Sequence, residues 1–195
     1  MSKEPISAFP VPDVGDLPAD VRARILAVQE KAGFVPNVFL ALAHRPDEFR
    51  AFFAYHDALM LRVGGLSKAE REMIVVATSS VNHCLYCVVA HGALLRIYAK
   101  DAEIADRLAV NPGKAALSQR HAAMIAFAMK VATRSHEIVP HDHEMLRDVG
   151  FDDEDIWDIG AIAGFFALSN RLANMSFMQP NVEFFTMGRM PKLAD

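Results

Sequence analysis

Apolar residues in this chain recur at intervals of three and four between proline and glycine stops, a helical period that no alternating stretch or hairpin signal interrupts. From Ala19 to Ala32 the stripe is Val21, Ile25, Leu26 and Val28, and Gly33 ends it. A short helix is expected over Asn37 to Ala43, stopped by His44-Arg45-Pro46, and a longer one over Asp47 to Val63 with Phe49, Phe52, Phe53, Leu59 and Met60 inward. Gly64-Gly65 breaks the chain. Ser67-Lys68-Ala69-Glu70 then reads as a capping box, in which serine and glutamate satisfy orphan amides at a helix start, so a helix is predicted from Lys68 to about Val81. Further helices are predicted over about Cys84 to Lys100, Ala102 to Ala109, Ser118 to Arg134 and His141 to Val149. After Gly150, Asp152 or Asp153 caps a long apolar helix reaching about Phe177.

The β-branched run Val75-Val76-Ala77-Thr78 lacks partners, so the fold class is all-α: a helical bundle forming a single domain over 19–195. Pro5, Pro10, Pro12 and Pro18 make residues 1–18 an extended N-terminal arm lying on a surface. The tail after Pro180 carries Phe184, Phe185, Met187 and Met190, too apolar to stand in water, and is expected to dock on its own core or on a neighbouring subunit.

Charge and composition exclude several classes. A net charge of -4 without long basic runs argues against nucleic acid as a partner. The N-terminus lacks the apolar core of a signal peptide, and no apolar run approaches the roughly 20 residues of a membrane span, so no membrane partner is expected and the cytoplasm is the expected compartment. There a permanent disulfide is disfavoured, and a close cysteine pair reads as catalytic or metal-binding.

The chain has two cysteines, Cys84 and Cys87, within the stretch NHCLYCVVAHG. On a helix, residues three apart have Cα atoms roughly 5 Å apart, a separation that a disulfide tolerates. The pair can therefore close and reopen without large backbone motion. Unpaired amides at a helix start favour thiolate over thiol, which would favour ionising Cys84, whereas His91, one turn beyond Cys87, favours Cys87.

His91 shares the stripe of Cys84, Cys87, Leu94 and Tyr98, so its ring is expected inside, where it could relay a proton. If the two helices fold back near Asn82, Glu72 comes level with His91, ten residues before the turn against nine after. Glu72 then either orients that imidazole or pairs with Arg62 or Arg71.

Other readings of the motif fit less well. Structural zinc needs two further ligands, and His83 with His91 would crowd one helical turn. Haem attachment needs histidine where Val88 stands, and a thioredoxin-like motif needs a βαβ setting. His136, His141 and His143 read as a solvated loop; His56 is either a hydrogen-bonded core residue or part of the wall that admits substrate; Trp157, Phe165 and Phe166 read as core or subunit contacts or as part of a substrate wall.

Glu72, eleven residues, Cys84, two residues, Cys87, three residues and His91 form a combined signature that resembles the AhpD-like alkylhydroperoxidase family within the carboxymuconolactone decarboxylase superfamily, in the branch of peroxidase-related proteins. Its core covers residues 66–96, and FVPNVFLALAHRPDEF and NRLANMSFMQPN extend the likeness over most of the chain. The resemblance implies an AhpD-like helical domain, assembly as a dimer, trimer or hexamer, and a dithiol that reduces hydroperoxides or exchanges with partner disulfides, and no metal or organic cofactor is expected. It implies Cys87 as the attacking thiol, Cys84 as the resolving thiol, and Glu72 with His91 as the proton relay. The reductant it implies is a thiol or dithiol, such as a dihydrolipoyl or thioredoxin-like protein. Tyr86 departs from members with histidine before the second cysteine, so a relay through that position is absent or altered. The rivals are a carboxymuconolactone decarboxylase-like lyase and a non-enzymatic helical binding protein with a structural CxxC.

Overall fold

The computed structural model describes residues 5–189. Among them are helices α1 (Ala19–Ala32), α2 (Asn37–Leu42), α3 (Pro46–Met60), α4 (Lys68–Val81), α5 (Leu85–Ala99), α6 (Ile104–Val110), α7 (Gln119–Arg134), α8 (Pro140–Asp148) and α9 (Asp153–Met175), with four short 3-10 turns and no strand. The expected capping box is made in both directions: the Glu70 amide donates to Ser67 Oγ at 3.2 Å and the Ser67 amide to Glu70 Oε2 at 2.8 Å. Ser118 and Asp152 cap α7 and α9.

Helix α4 is the hub. Every residue from Glu70 to Ser79 is buried, so this helix is enclosed on all sides, by α5, α6, α7 and α9. The β-branched run that tempts a strand reading lies inside it, because burial on every face rewards apolar volume whatever its local preference. The polar residues buried on α4 are all answered. Arg71 donates to Asp158 on α9 at 3.1 Å and to the Leu59 carbonyl at 2.6 Å, and both charged side chains are almost fully enclosed. The chain reaches α4 through Gly65, where a Cβ would run into the Asp155 carboxylate, so any other residue there would displace that side chain at the start of α9.

Two smaller clusters flank this core. In one, Phe39, Phe49 and Phe53 pack against Val21 and Ile25 of α1. In the other, Cys84, Tyr86, Cys87, Ala90 and Ala93 of α5 and its start are covered by Ala41, Ala173, Met178 and Phe184. The tail thus docks on its own core: Phe184 is buried and Arg96 donates to the carbonyls of Phe184 and Met187, at 2.8 and 2.9 Å, while Met190 lies outside the described residues. The arm is tied to the same region by Ala8 to Ser176 and Gln179 to Ile6 backbone bonds. It is not wholly extended, since Val14–Asp16 form a 3-10 turn. Residues 1–4 of the arm lie outside the described residues.

Some sequence expectations are corrected. Helix α3 ends at Met60 rather than Val63, and α9 at Met175 rather than Phe177. Leu26 and Tyr98 face outward, and Trp157 is 71% exposed, so it is not a core residue. His141 and His143 sit on α8 rather than in a loop, and His143 packs on Phe127.

Candidate active site

The turn between α4 and α5 places the first cysteine. His83 adopts a left-handed backbone, φ 51°, and the amides of His83 and Cys84 donate back to the Ser80 and Ser79 carbonyls. This is a Schellman closure of α4 with histidine in the position glycine usually holds. Its last residue is also the first of the next element. Cys84 is therefore the N-cap of α5, with extended backbone (φ -90°, ψ 99°), and its sulfur accepts from the Cys87 amide at 3.4 Å. The expectation of a helix from about Cys84 holds, and as N-cap its sulfur stands at the positive end of the helix. A left-handed β-carbon costs roughly 1–2 kcal/mol, so His83→Gly is expected to raise unfolding stability by about 0.5 kcal/mol after the added chain entropy of glycine, measured by urea titration.

Both cysteines are free and buried. The Cys87 thiol donating to it, opposed by burial, brings the Cys84 thiol down to about 7, with further help from the Cys87 amide, the Asn170 amide and His91. The hydrogen bond to Cys84, burial and the adjacent thiolate push Cys87 well up. The pair shares one proton near neutrality, held on Cys87. Cys84 ionises in the folded state below its ordinary value of 9.0, so the thiolate stabilises the fold fully above about 9 and this contribution is lost as pH falls through about 7. Thiolate absorbance of the reduced protein is expected to rise with a midpoint near 7 for a single sulfur, and Cys84→Ser to remove that step.

The remaining residues of the motif converge. Glu72 on α4 meets His91 on α5, Oε2 to Nδ1 at 2.7 Å, with side-chain exposures of 6% and 14%. The alternatives for Glu72 are thereby decided, because Arg62 and Arg71 both bind Asp158 instead. The imidazole stands edge-on to Phe166, ring centroids 4.7 Å apart. With Nδ1 donating to the carboxylate, Nε2 is left to exchange a proton.

Cys87 and His91 line one cavity of about 170 Å³, walled by Val38, Phe39, Phe52, Phe53, Leu94, Phe166 and Phe184, with His56, Tyr86 and Ser169 as further polar groups. Cys84 is not part of that wall. Tyr86 is committed elsewhere: its hydroxyl accepts from the Val38 amide at 3.1 Å, and burial pushes its ionisation up. The side chain thus holds α2 over the cavity. His56 both lines the cavity and makes a hydrogen bond, Nδ1 to Asp57 at 3.0 Å, so its two readings hold together.

Sequence reasoning overlooked two residues of α9. Ser169 Oγ lies 3.8 Å from Cys87 Sγ, and Asn170, fully buried, donates to Ser79 and accepts from Asn82 while its amide favours ionisation of both sulfurs. The available signal was a serine-asparagine pair inside an otherwise apolar helix, since buried amides are kept only where their bonds are satisfied.

The comparisons bear on the family and the fold. The family model of the carboxymuconolactone decarboxylase family matches residues 46–111, from α3 to the end of α6. A crystal structure of an alkylhydroperoxidase AhpD core, an uncharacterized peroxidase-related protein from Ralstonia eutropha JMP134, is 66% identical over 97% of this chain and 100% of its own, with a TM-score of 0.96. An uncharacterized peroxidase-related protein from Silicibacter sp. TM1040 is 41% identical over 97% and 99%, TM-score 0.91. The debrominase Bmp8 shares the fold alone, at 16% identity over 96% and 98% with a TM-score of 0.76, and a variant of it is known in complex with 2,3,4-tribromopyrrole. No curated protein matches the chain. An all-α bundle with a buried dithiol beside a glutamate-histidine pair is thus the class that fold and site define. The chain belongs to the AhpD-like carboxymuconolactone decarboxylase superfamily, in its peroxidase-related branch.

Proposed function

We propose that the protein is a thiol peroxidase of the alkylhydroperoxide-reducing kind, cycling Cys84 and Cys87 through a disulfide. The observation that carries this reading is the division of labour within the pair: Cys87 faces an apolar cavity beside His91, while Cys84, with its ionisation lowered to about 7, waits behind it. The shared proton crosses to Cys84, leaving a thiolate on Cys87 that attacks the terminal oxygen of ROOH. The O–O bond breaks, a sulfenic acid forms, and RO⁻ takes the proton that His91, oriented by Glu72, hands on from Cys84. Cys84 thiolate then displaces hydroxide from the sulfenic acid, and solvent protonates it to water. The disulfide is reset by an external dithiol, for which a dihydrolipoyl or thioredoxin-like protein has the right chemistry.

The test is stoichiometric. One equivalent of cumene hydroperoxide is expected to consume two thiols, and dithiothreitol to restore both; thiols untouched by hydroperoxide, or tight stoichiometric zinc, would leave the structural-CxxC reading standing. A lyase on the same fold has no need of the dithiol, so full activity towards a muconolactone substrate in thiol-free variants would favour that class. A second reading, debromination of a bromopyrrole, is favoured by the aromatic walls of the cavity and is checked by adding brominated pyrroles to the same assay and measuring bromide.

Cytoplasmic location and a homo-oligomer belong to the same proposal. Among the described residues no helix is long and apolar enough to cross a membrane. Trp157 and Leu168, 71% and 51% exposed on α9, offer a face for a second copy, and sedimentation of wild type against Trp157→Glu reads it.

A further inference from the structure

We infer that His56 is a substrate-binding residue of this cavity, whose Nε2 accepts the hydrogen bond of a hydroperoxyl O–H and so sets the terminal oxygen towards Cys87. The inference rests on the hydroperoxide reading above and adds to it a residue and a selectivity.

His56 lies on α3, far in sequence from the dithiol motif, and forms part of the same cavity wall as Cys87 and His91. It keeps 25% of its side-chain surface exposed, which places it where the cavity meets solvent. Its Nδ1 is 3.0 Å from Asp57 Oδ1, and Asp57 is gripped by Arg24 Nη2 at 2.8 and 3.0 Å, with Arg24 lying over the Phe53 ring at 4.8 Å. The cavity is therefore served by two imidazole-carboxylate pairs, His91 with Glu72 and His56 with Asp57. A proton relay uses one.

The tautomer of the second follows from its neighbours. Burial raises Asp57, but the bonds from His56 and Arg24 outweigh it and keep the carboxylate ionised, so Nδ1 carries the hydrogen. Burial lowers His56 below its ordinary value against the opposing pull of Asp57 and Glu72, so the ring is neutral near pH 7. A neutral ring with hydrogen on Nδ1 presents a lone pair at Nε2, which has no partner among the described residues. The rings beside it, Phe53 and Phe165 with centroids 6.2 and 6.1 Å away, supply no donor. A ligand with one O–H and an apolar body satisfies both. The cavity, about 170 Å³, is close to the roughly 150 Å³ that encloses a benzene ring, which favours aryl or short branched alkyl hydroperoxides. In the reaction the hydroperoxyl proton stays on oxygen and ends in the sulfenic acid, so His56 binds and aims the substrate without consuming a proton. A dialkyl peroxide, lacking that O–H, would lose the contact.

The experiment compares wild type, His56→Phe and His56→Gln in two reactions of the reduced protein: turnover with cumene hydroperoxide, and oxidation of the dithiol by the disulfide lipoamide. His56→Phe is expected to lower kcat/KM for the hydroperoxide about tenfold, mainly through KM, while lipoamide oxidation stays within about twofold of wild type. His56→Gln, whose amide oxygen accepts the same bond, is expected to recover most of the loss. Hydroperoxide turnover unchanged in His56→Phe overturns the inference alone, as does an equal loss in both reactions, which marks a structural role. A wild-type dithiol inert to the hydroperoxide sinks the peroxidase reading itself, and this inference with it.

Discussion

Replacing Cys87 by serine is expected to lower hydroperoxide reduction by about a thousandfold or more, because a hydroxyl cannot supply the nucleophile that the cavity presents. Cys84→Ser should behave differently. It leaves the attacking sulfur in place, so one oxygen atom is accepted, a sulfenic acid persists on Cys87, and turnover stops for want of the resolving thiol. Mass spectrometry with a sulfenic-acid trap distinguishes the two. The contrast tests the assignment of roles, since Cys84 is the more acidic sulfur while Cys87 is the one in contact with the cavity. Acidity alone would nominate the first. If Cys87→Ser reacts with hydroperoxide at the wild-type rate and carries the oxygen on Cys84, the roles are exchanged and access has been weighed wrongly.

The largest expected effect on stability comes from a residue remote from the sulfurs. Asp158→Leu should destabilise the protein by roughly 3–5 kcal/mol, because it leaves the Arg71 guanidinium enclosed without its counter-charge. At about 2–4 °C per kcal/mol for a chain of this size, the melting temperature falls by roughly 10 °C. The double variant Arg71→Met with Asp158→Leu is expected to recover most of that loss, since a buried pair contributes little beyond cancelling its own desolvation. Thermal unfolding of the three proteins checks both statements. Recovery of nothing would mean that the three bonds of Arg71, to Asp158 and to the Leu59 and Arg62 carbonyls, do more to join α3, α4 and α9 than neutralise charge.

The helices were legible because their signals are local. The Ser67–Glu70 box, Ser118 and Asp152 each act within one turn, so residues three apart suffice to place a helix start. Helix ends were less legible: α3 stops at Met60, short of the Gly64-Gly65 break, and α9 at Met175. The start of α5 at Cys84 was legible, but the left-handed histidine that closes α4 just before it was not, since nothing in the composition of the turn announces it. The meeting of Glu72 and His91 was visible only as one of two options, since counting residues about a turn gives their level but not which neighbour wins. Asp158, eighty-odd positions away, settled it by taking both arginines.

By itself the sequence determined that this chain is all helical, that its two sulfurs stand one turn apart, and that an imidazole follows on the same helix. Those properties depend on spacing along a backbone of fixed pitch. Only the tertiary structure decided which sulfur faces the cavity, which carboxylate holds each imidazole, and that Asn170, Ser169 and His56 belong to the same place. The reason is that these contacts join α3, α4, α5 and α9 across distances in sequence at which no local rule operates, and only packing around α4 brings them together.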